Sequence, residues 1–337
     1  MNQVLGLRGG HVETSHRLHA AIVRPDGALV ASVGDPRLAA PLRSTAKPIQ
    51  AQALFLSGAG QRFGFSAEEL ALVCASHQGT ERHVALAASI LSRLGLDEGA
   101  LSCGAHAPLD DGSRVAHIRG GGPPSPLHNN CSGKHAGMLA SALALGAPTD
   151  GYLDPDHPLQ RLIRKLHEQL AGTPHLEAAV DGCSAPTWVL GLHRLARMYA
   201  QLAAPAAAPP MLQPGLAAVG DAMRAFPGLV AGEGVIDTLL MRTVPGLLAK
   251  RGAAGCYAMA LRDSPHGPLG VALKIADGSG EARTPAILAV LEGLGALGPE
   301  ASAALAPLRT ARRLNWRGLV VGRYEARVDL DWVAPSG

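Results

Sequence analysis

Only five of the thirty cationic residues in this chain are lysines: Lys47, Lys134, Lys165, Lys250 and Lys274. Arginine keeps its proton in a protein, whereas a buried lysine can be tuned into a neutral base. A chain that uses arginine for ordinary charge marks its lysines as places where amine chemistry is needed. The first of them stands in Arg43-Ser44-Thr45-Ala46-Lys47-Pro48. A serine hydroxyl is a poor nucleophile until a base takes its proton. If Ser44 opens a helix, Lys47 three residues on projects from the same face. The positive end of that helix opposes protonation of a nearby amine, and desolvation does the same. Ser44 as nucleophile and Lys47 as base is the chemistry this spacing allows. A capping serine followed by a solvated lysine has the same spacing.

Four further clusters carry polar groups into apolar surroundings. Cys74-Ala75-Ser76-His77-Gln78-Gly79 offers a second hydroxyl at Ser76, and a glycine that lets backbone approach a ligand. A helix cap built from the same residues is the structural alternative. His128-Asn129-Asn130-Cys131-Ser132-Gly133-Lys134-His135-Ala136-Gly137 enters an apolar helix and reads as a binding turn. Asp181-Gly182-Cys183 brings a second cysteine at a turn. Cys131 and Cys183, brought together, suit zinc, with a third ligand one turn from Cys131. His135 is the commoner ligand type, and Lys134 serves only as a neutral amine. Buried free thiols or a disulfide fit the same pair, and no C-x-x-C spacing occurs. Lys250 and Lys274 fall in strand-like segments. Either points into a cleft or guards a sheet edge, and the glycine-rich flank of Lys250 favours it for a site.

The elements that must position these residues follow from pattern. His11 to Val23 and Ala28 to Val33 flank Pro25-Asp26-Gly27, which predicts a hairpin. Ser44 to Leu56 reads as helix, and Ser66-Ala67-Glu68-Glu69 as a capping box. Helical periodicity runs through 79–94, 135–145, 158–170 and 186–202, with a Pro/Ala-rich loop at 203–214. Strands return at 256–262 and 269–276, followed by a helix at 284–297 and a strand within 318–328. Strands at both ends with helices between them predict the α+β class. An antiparallel-rich sheet flanked by helices is expected from residues 1–40 and 246–337, with a mainly helical domain, 41–245, inserted between.

Composition narrows the function classes. At 337 residues with nearly half of them hydrophobic, the chain can bury a large core. A net charge of +3 with no basic run gives no footprint for nucleic acid. Prolines at 205, 209, 210 and 214 break the Ala-rich stretch, so no membrane partner is expected. Five scattered cysteines suit a reducing compartment, and the opening residues lack a signal-peptide layout. The expectation is a cytoplasmic protein.

Taken together, the Arg43–Pro48 run, Ala75-Ser76-His77, Asn130–Gly137, Asp181-Gly182-Cys183 and Lys250-Arg251-Gly252-Ala253-Ala254-Gly255 occur in one order at compatible intervals. In this the chain resembles the rhizobial L-asparaginase II family, the class 3 asparaginases, over about residues 5–330. The resemblance implies a serine β-lactamase/glutaminase-like fold, a homodimer, and a site between a sheet domain and a helical domain. It implies Ser44 with Lys47, and Ser76 with Lys250, as paired Ser-Lys tandems. It implies Cys131, Lys134 and Cys183 as ligands of one zinc ion per chain, which selects Lys134 over His135. Arg43, His135 and Asp181 would line the substrate pocket. Ala254 departs from the family's Gly-Ala-Glu-Gly run, which bears on loop charge or substrate affinity.

Three readings are then available. The first is an amidohydrolase that turns L-asparagine into L-aspartate and ammonia through a serine acyl-enzyme, with zinc shaping the pocket. The second is a penicillin-recognising acyl-enzyme former, against which the absence of Ser-Asp-Asn and Lys-Thr-Gly counts. The third is a zinc-containing binding protein without catalysis.

Overall fold

The computed structural model describes residues 2–334. The chain divides into two compact units. One comprises residues up to Leu42, Leu190–Ala204, and the chain from Leu239 onward; the other comprises Arg43–Val189 and Pro205–Thr238.

The first unit is built on strands. In chain order they are β1 (Gln3–Arg8), β2 (His11–Val23), β3 (Leu29–Val33), the short β4 (Ala39–Pro41), then β7 (Leu247–Arg251), β8 (Cys256–Leu261), β9 (Leu269–Ile275), β10 (Arg312–Leu314), β11 (Val320–Arg327) and β12 (Asp331–Trp332). The numbers β5 and β6 belong to Glu177–Val180 and Pro186–Gly191. Nine of these strands form one sheet in the order β10-β11-β1-β2-β9-β8-β7, with β3 pairing both β2 and β12. Its ladders are antiparallel. β2 is long enough to serve two sets of neighbours. Residues 11–17 pair with β1, and residues 18–23 pair with β9. Its burial follows: the first part is mostly exposed and the last four residues are buried.

The predicted turn at Pro25-Asp26-Gly27 is present. Asp26 Oδ1 accepts the Ala28 N–H at 2.9 Å, and Gly27 takes φ +95°. β8 and β9 are almost wholly buried, and small residues on β9 explain how. A Cβ at Gly270 would lie 1.8 Å from the Ala196 carbonyl oxygen, so the helix Leu192–Ala203 rests directly on the strand. This contact draws Leu190–Ala204 into the sheet unit rather than the helical one that the sequence pattern suggested.

The second unit is mainly helical. Helix Ala67–Val73 opens with the expected capping box: Ser66 Oγ accepts Glu69 N–H, and Glu69 returns a bond to Ser66 N–H. Helix Ser132–Ala144 packs on it through two glycines. A Cβ at Gly133 would lie 2.5 Å from Leu72 Cγ, and one at Gly137 would lie 2.8 Å from Val73 Cγ1. Helix Pro158–Ala171 begins with proline and ends at Gly172 with φ +67°.

Two expectations need correction here. Residues 186–191 are strand rather than the start of a helix, because Thr187-Trp188-Val189 suit a pleated surface and pair with β5. The 203–214 segment is not an open loop but carries two 3-10 turns, Pro205–Ala207 and Pro210–Leu212, leading into helix Gln213–Ala225. The helix Asp111–Gly120, with no buried residue, has no sequence signal strong enough to announce it. No helix among the described residues is long and apolar enough to cross a membrane.

Candidate active site

Ser44 lies in a 3-10 turn, Arg43–Ala46, that runs straight into the short helix Lys47–Gln50. Residues i and i+3 eclipse one another in 3-10 geometry, so Ser44 and Lys47 share a face. Thr45, Ala46 and Lys47 are buried, while Ser44 is half-buried. The turn is entered at cost. Arg43 has φ +53°, a left-handed conformation that is unfavourable by roughly 1–2 kcal/mol for a residue with a Cβ. Two bonds hold it: Arg43 N–H donates to Thr187 Oγ1 at 3.1 Å, and Nε donates to Asp181 Oδ1 at 2.7 Å.

Lys47 does not turn back to Ser44. Its Nζ donates to the Ala75 carbonyl at 2.5 Å, to Ser76 Oγ at 3.0 Å and to the Asn130 carbonyl at 3.3 Å. The structure therefore joins three clusters that are distant in sequence. Ser76 sits just past helix Ala67–Val73, with its own N–H bonded to the Val230 carbonyl at 2.9 Å.

A sulfur-rich cluster adjoins this cradle. Cys131 stands at the N-cap of helix Ser132–Ala144, its N–H held by Asn129 Oδ1 at 2.9 Å. Lys134, one turn on and buried, donates from Nζ to Cys183 Sγ at 2.9 Å. A hydrogen bond from Cys183 holds the Cys131 thiol well below its ordinary range against the opposition of burial, with Lys47 and Lys134 assisting. Cys183 is pushed up in turn, first by sharing with Cys131 and then by burial. Burial opposes the charge on Lys134, but the two sulfurs outweigh it and raise its pKa. The two sulfurs and the Lys134 amine lie together, and Cys131 Sγ also donates to Asn130 Oδ1 at 3.1 Å. All five cysteines are free, so the disulfide alternative fails.

His135 is wholly buried behind this cluster, and burial together with Lys134 brings its pKa down to about 4. Its Nδ1 meets the Tyr152 hydroxyl at 2.6 Å, and that hydroxyl accepts the Ser102 N–H at 3.0 Å. Cys183 favours its protonated form, although Nε2 has no partner at hydrogen-bonding distance. Asp181 lies in the turn that carries Cys183. Burial works against its charge, but Arg43 and the Gly182 N–H hold its carboxyl below the usual range. Arg43 and Gly182 both bind Oδ1, which leaves Oδ2 open.

Lys250 belongs to the sheet unit, wholly buried on β7, where Nζ donates to the Arg251 carbonyl at 3.0 Å. Lys274 bonds the Ile275 and Ala276 carbonyls as a half-exposed strand residue. No sequence pattern singles out Tyr152, Thr187 or Ser132. Asn129 and Asn130 were at least visible as a polar pair beside Cys131.

Zinc is the metal that the resemblance implies. Among the described residues no three His, Cys, Asp or Glu side chains gather into a metal-holding group. Cys131, Cys183 and Lys134 do gather, and two sulfurs with one nitrogen are a donor set that suits zinc once the amine is deprotonated. The residues fit the ion on that condition.

With this geometry in place, the comparison with known families is decisive. Residues 4–326 match the family described as L-asparaginase II. The chain belongs to the L-asparaginase II family. Among solved structures, the L-asparaginase II chain is similar to the native form of Mglu at 16% identity, covering 82% of this chain and 63% of that one, with a TM-score of 0.46. It spans less than two thirds of that protein's length. A β-lactamase from Mycobacterium bovis is similar at 14% identity, covering 87% of this chain and 95% of that one, with a TM-score of 0.40. A β-lactamase from Burkholderia ambifaria follows at 14% identity, 87% and 94% coverage, and a TM-score of 0.36. No curated protein matches the chain.

Proposed function

We propose that this chain hydrolyses the side-chain amide of L-asparagine, with Ser44 as nucleophile and Lys47 as its base. The observation that carries the reading is the buried Lys47 amine, bonded to Ser76 Oγ at 3.0 Å one 3-10 turn from Ser44. Attack of Ser44 Oγ on the amide carbon passes the hydroxyl proton to Lys47 and forms a tetrahedral intermediate. Its collapse releases ammonia, which takes up that proton, and leaves an aspartyl ester on Ser44. Water then attacks the ester, its proton received by Lys47 and returned to the departing Ser44 oxygen, and L-aspartate is freed. Ser76 carries protons between Lys47 and the leaving group.

Arg43 and Asp181 supply the substrate anchor. Because their mutual bond uses only Nε and Oδ1, the Nη groups of Arg43 stay available for an α-carboxylate and Oδ2 of Asp181 for an α-ammonium. A side-by-side cation and anion match an amino-acid zwitterion. Glutamine, one methylene longer and anchored at the same end, would bring its amide carbon out of line with Ser44. A misplacement of about 1 Å costs on the order of a hundredfold. Zinc, where bound, would be held by Cys131, Lys134 and Cys183, and would supply a fixed positive charge that orders this wall of the pocket.

The test is ammonia release from L-asparagine, L-glutamine and D-asparagine by the purified protein. L-asparagine turned over at least about a hundredfold more efficiently than L-glutamine supports the two-point anchor. Equal efficiency on both removes it. A second reading takes Ser76 as nucleophile, because Ser76 rather than Ser44 receives the Lys47 bond. Mass spectrometry of an acyl-enzyme trapped with a slow ester analogue assigns the modified serine and decides between them.

A further inference from the structure

The oxygens that hold Lys47 come from two separate chain segments, Ala75-Ser76 on one side and Asn130 on the other. Both segments end at His77. Its backbone N–H donates to the Asn130 carbonyl at 3.2 Å, the same oxygen that Lys47 reaches. Its ring is wholly buried and stacks on His83 at 4.9 Å, with only 12° between the planes. The Gly79 N–H donates to Nδ1 at 3.1 Å, so Nδ1 is the acceptor and the neutral ring carries its proton on Nε2. That Nε2–H meets Ser132 Oγ at 2.9 Å, and Ser132 passes its own proton to the Leu127 carbonyl at 3.0 Å. Gly79 permits this turn, because its φ is +71° and a Cβ there would lie 2.9 Å from the His128 carbonyl oxygen. Both ring nitrogens are thus committed, and His77 has no lone pair to offer a serine.

We infer that His77 is a positioning residue: by clamping the Ser76 segment to Ser132, it fixes the carbonyl and hydroxyl oxygens that aim Lys47. The inference rests on the proposed Ser-Lys chemistry for its kinetic consequence but not for its structural one. Ser132 opens the helix that carries Lys134 and His135, so the clamp ties the Ser-Lys side of the site to its sulfur side. The ring stays neutral because burial, reinforced by His83 and Lys47, holds its pKa well below the ordinary histidine value.

Four variants test it: Ser132→Ala, His77→Gln, His77→Leu and the double variant His77→Leu/Ser132→Ala. Two measurements are made on each: kcat and KM for amide hydrolysis across pH, and labelling of Lys47 by an amine-reactive ester, followed by mass spectrometry. His77→Gln keeps a donor near the Nε2 position and should retain most of kcat. Ser132→Ala should lose about tenfold and His77→Leu about a hundredfold, both in kcat with KM little changed, as expected when reacting groups are misplaced. The double variant should be no worse than His77→Leu, because the two residues act through one link. Lys47 should be shielded from the reagent in the wild type and in His77→Gln, and open to it in the other three. Multiplicative losses in the double variant, or Lys47 still shielded in folded Ser132→Ala, would overturn the clamp. Loss of a limb of the pH profile in His77→Gln would overturn it too, by showing that the ring carries a catalytic proton. If the wild type releases no ammonia from any amide, the hydrolase reading fails, and Lys47 labelling alone decides the clamp.

Discussion

Two buried lysines of the helical unit are held in contrasting ways. Lys47 points at neutral oxygens, the carbonyls of Ala75 and Asn130 and the hydroxyl of Ser76. Lys134 points at Cys183, with the Cys131 sulfur and the Asp181 carboxylate adding negative charge around it. Neutral acceptors orient an amine without placing an opposite charge beside it; anionic ones add that charge. The same side chain is thereby suited to passing a proton in one place and to holding a charge, or exchanging it for a metal ion, in the other. Cys131 lies within reach of both amines, which makes the two settings parts of one polar system.

The contrast breaks most sharply at Lys47. Lys47→Arg keeps a positive charge but cannot accept a proton, so amide turnover should fall by about a thousandfold while the thermal unfolding midpoint stays near that of the wild type. Near-normal turnover in this variant would remove Lys47 as base. At the other lysine, Cys183→Ser should lower bound zinc from about one per chain to almost none, measured on protein purified without chelator. Turnover should fall far less than in Lys47→Arg. Zinc unchanged by the substitution, or absent from the wild type, removes the metal from the sulfur-rich cluster.

A smaller effect is expected from Gly133→Ala. The added methyl group meets Leu72 in helix Ala67–Val73, which should lower stability by about 1–3 kcal/mol in urea unfolding. The strain should tilt Lys134 away from Cys183 and weaken metal binding before it reaches Lys47.

The pH baseline against which both lysines must be measured is set partly by His167, away from either. Its Nδ1–H donates to the Ile163 carbonyl at 2.8 Å, and burial brings its pKa down to about 4. The unfolded chain takes up this proton near pH 6.5, whereas the folded chain takes it up only near pH 4. The stabilisation is therefore complete above about pH 6.5 and is lost as pH falls through about 4. His167→Gln should flatten that acid loss, and His135 would account for part of what remains. The least effect belongs to Ala254→Gly. Ala254 sits at φ +53° between β7 and β8, so glycine there should stabilise by up to about 1 kcal/mol. A change in either lysine's behaviour from this substitution would contradict the local origin of both settings.

Much of the local structure was legible in the sequence, because local rules decide it. The Pro25-Asp26-Gly27 hairpin, the Ser66–Glu69 capping box and the helix that follows Cys131 all stand where turn chemistry and periodicity put them. The Ser44–Lys47 spacing was legible as one face of a turn, but its meaning was not. Lys47 bonds Ser76 and Asn130, and no spacing rule connects residues so far apart. Residues 186–202 misled because Thr187-Trp188-Val189 satisfies a helical period while pairing better with β5. The docking of Leu192–Ala203 on the sheet depends on the missing side chain of Gly270, a fact about a distant strand. The Arg43–Asp181 pair was legible only as two pocket residues, not as partners.

The strand order of the large sheet has a consequence for how the chain is made. β1 and β2, which are made before β9 and β11, end up between those two strands. Through most of synthesis the opening hairpin thus presents open edges with no neighbour to cover them. Non-local antiparallel pairing of this kind is slow and leaves strands exposed to wrong partners. The mostly polar first half of β2 limits that risk, since an exposed edge of charged and polar residues is a poor template for aggregation. The same stretch carries ion pairs in the finished sheet, where Glu13 meets Arg8 and Arg313.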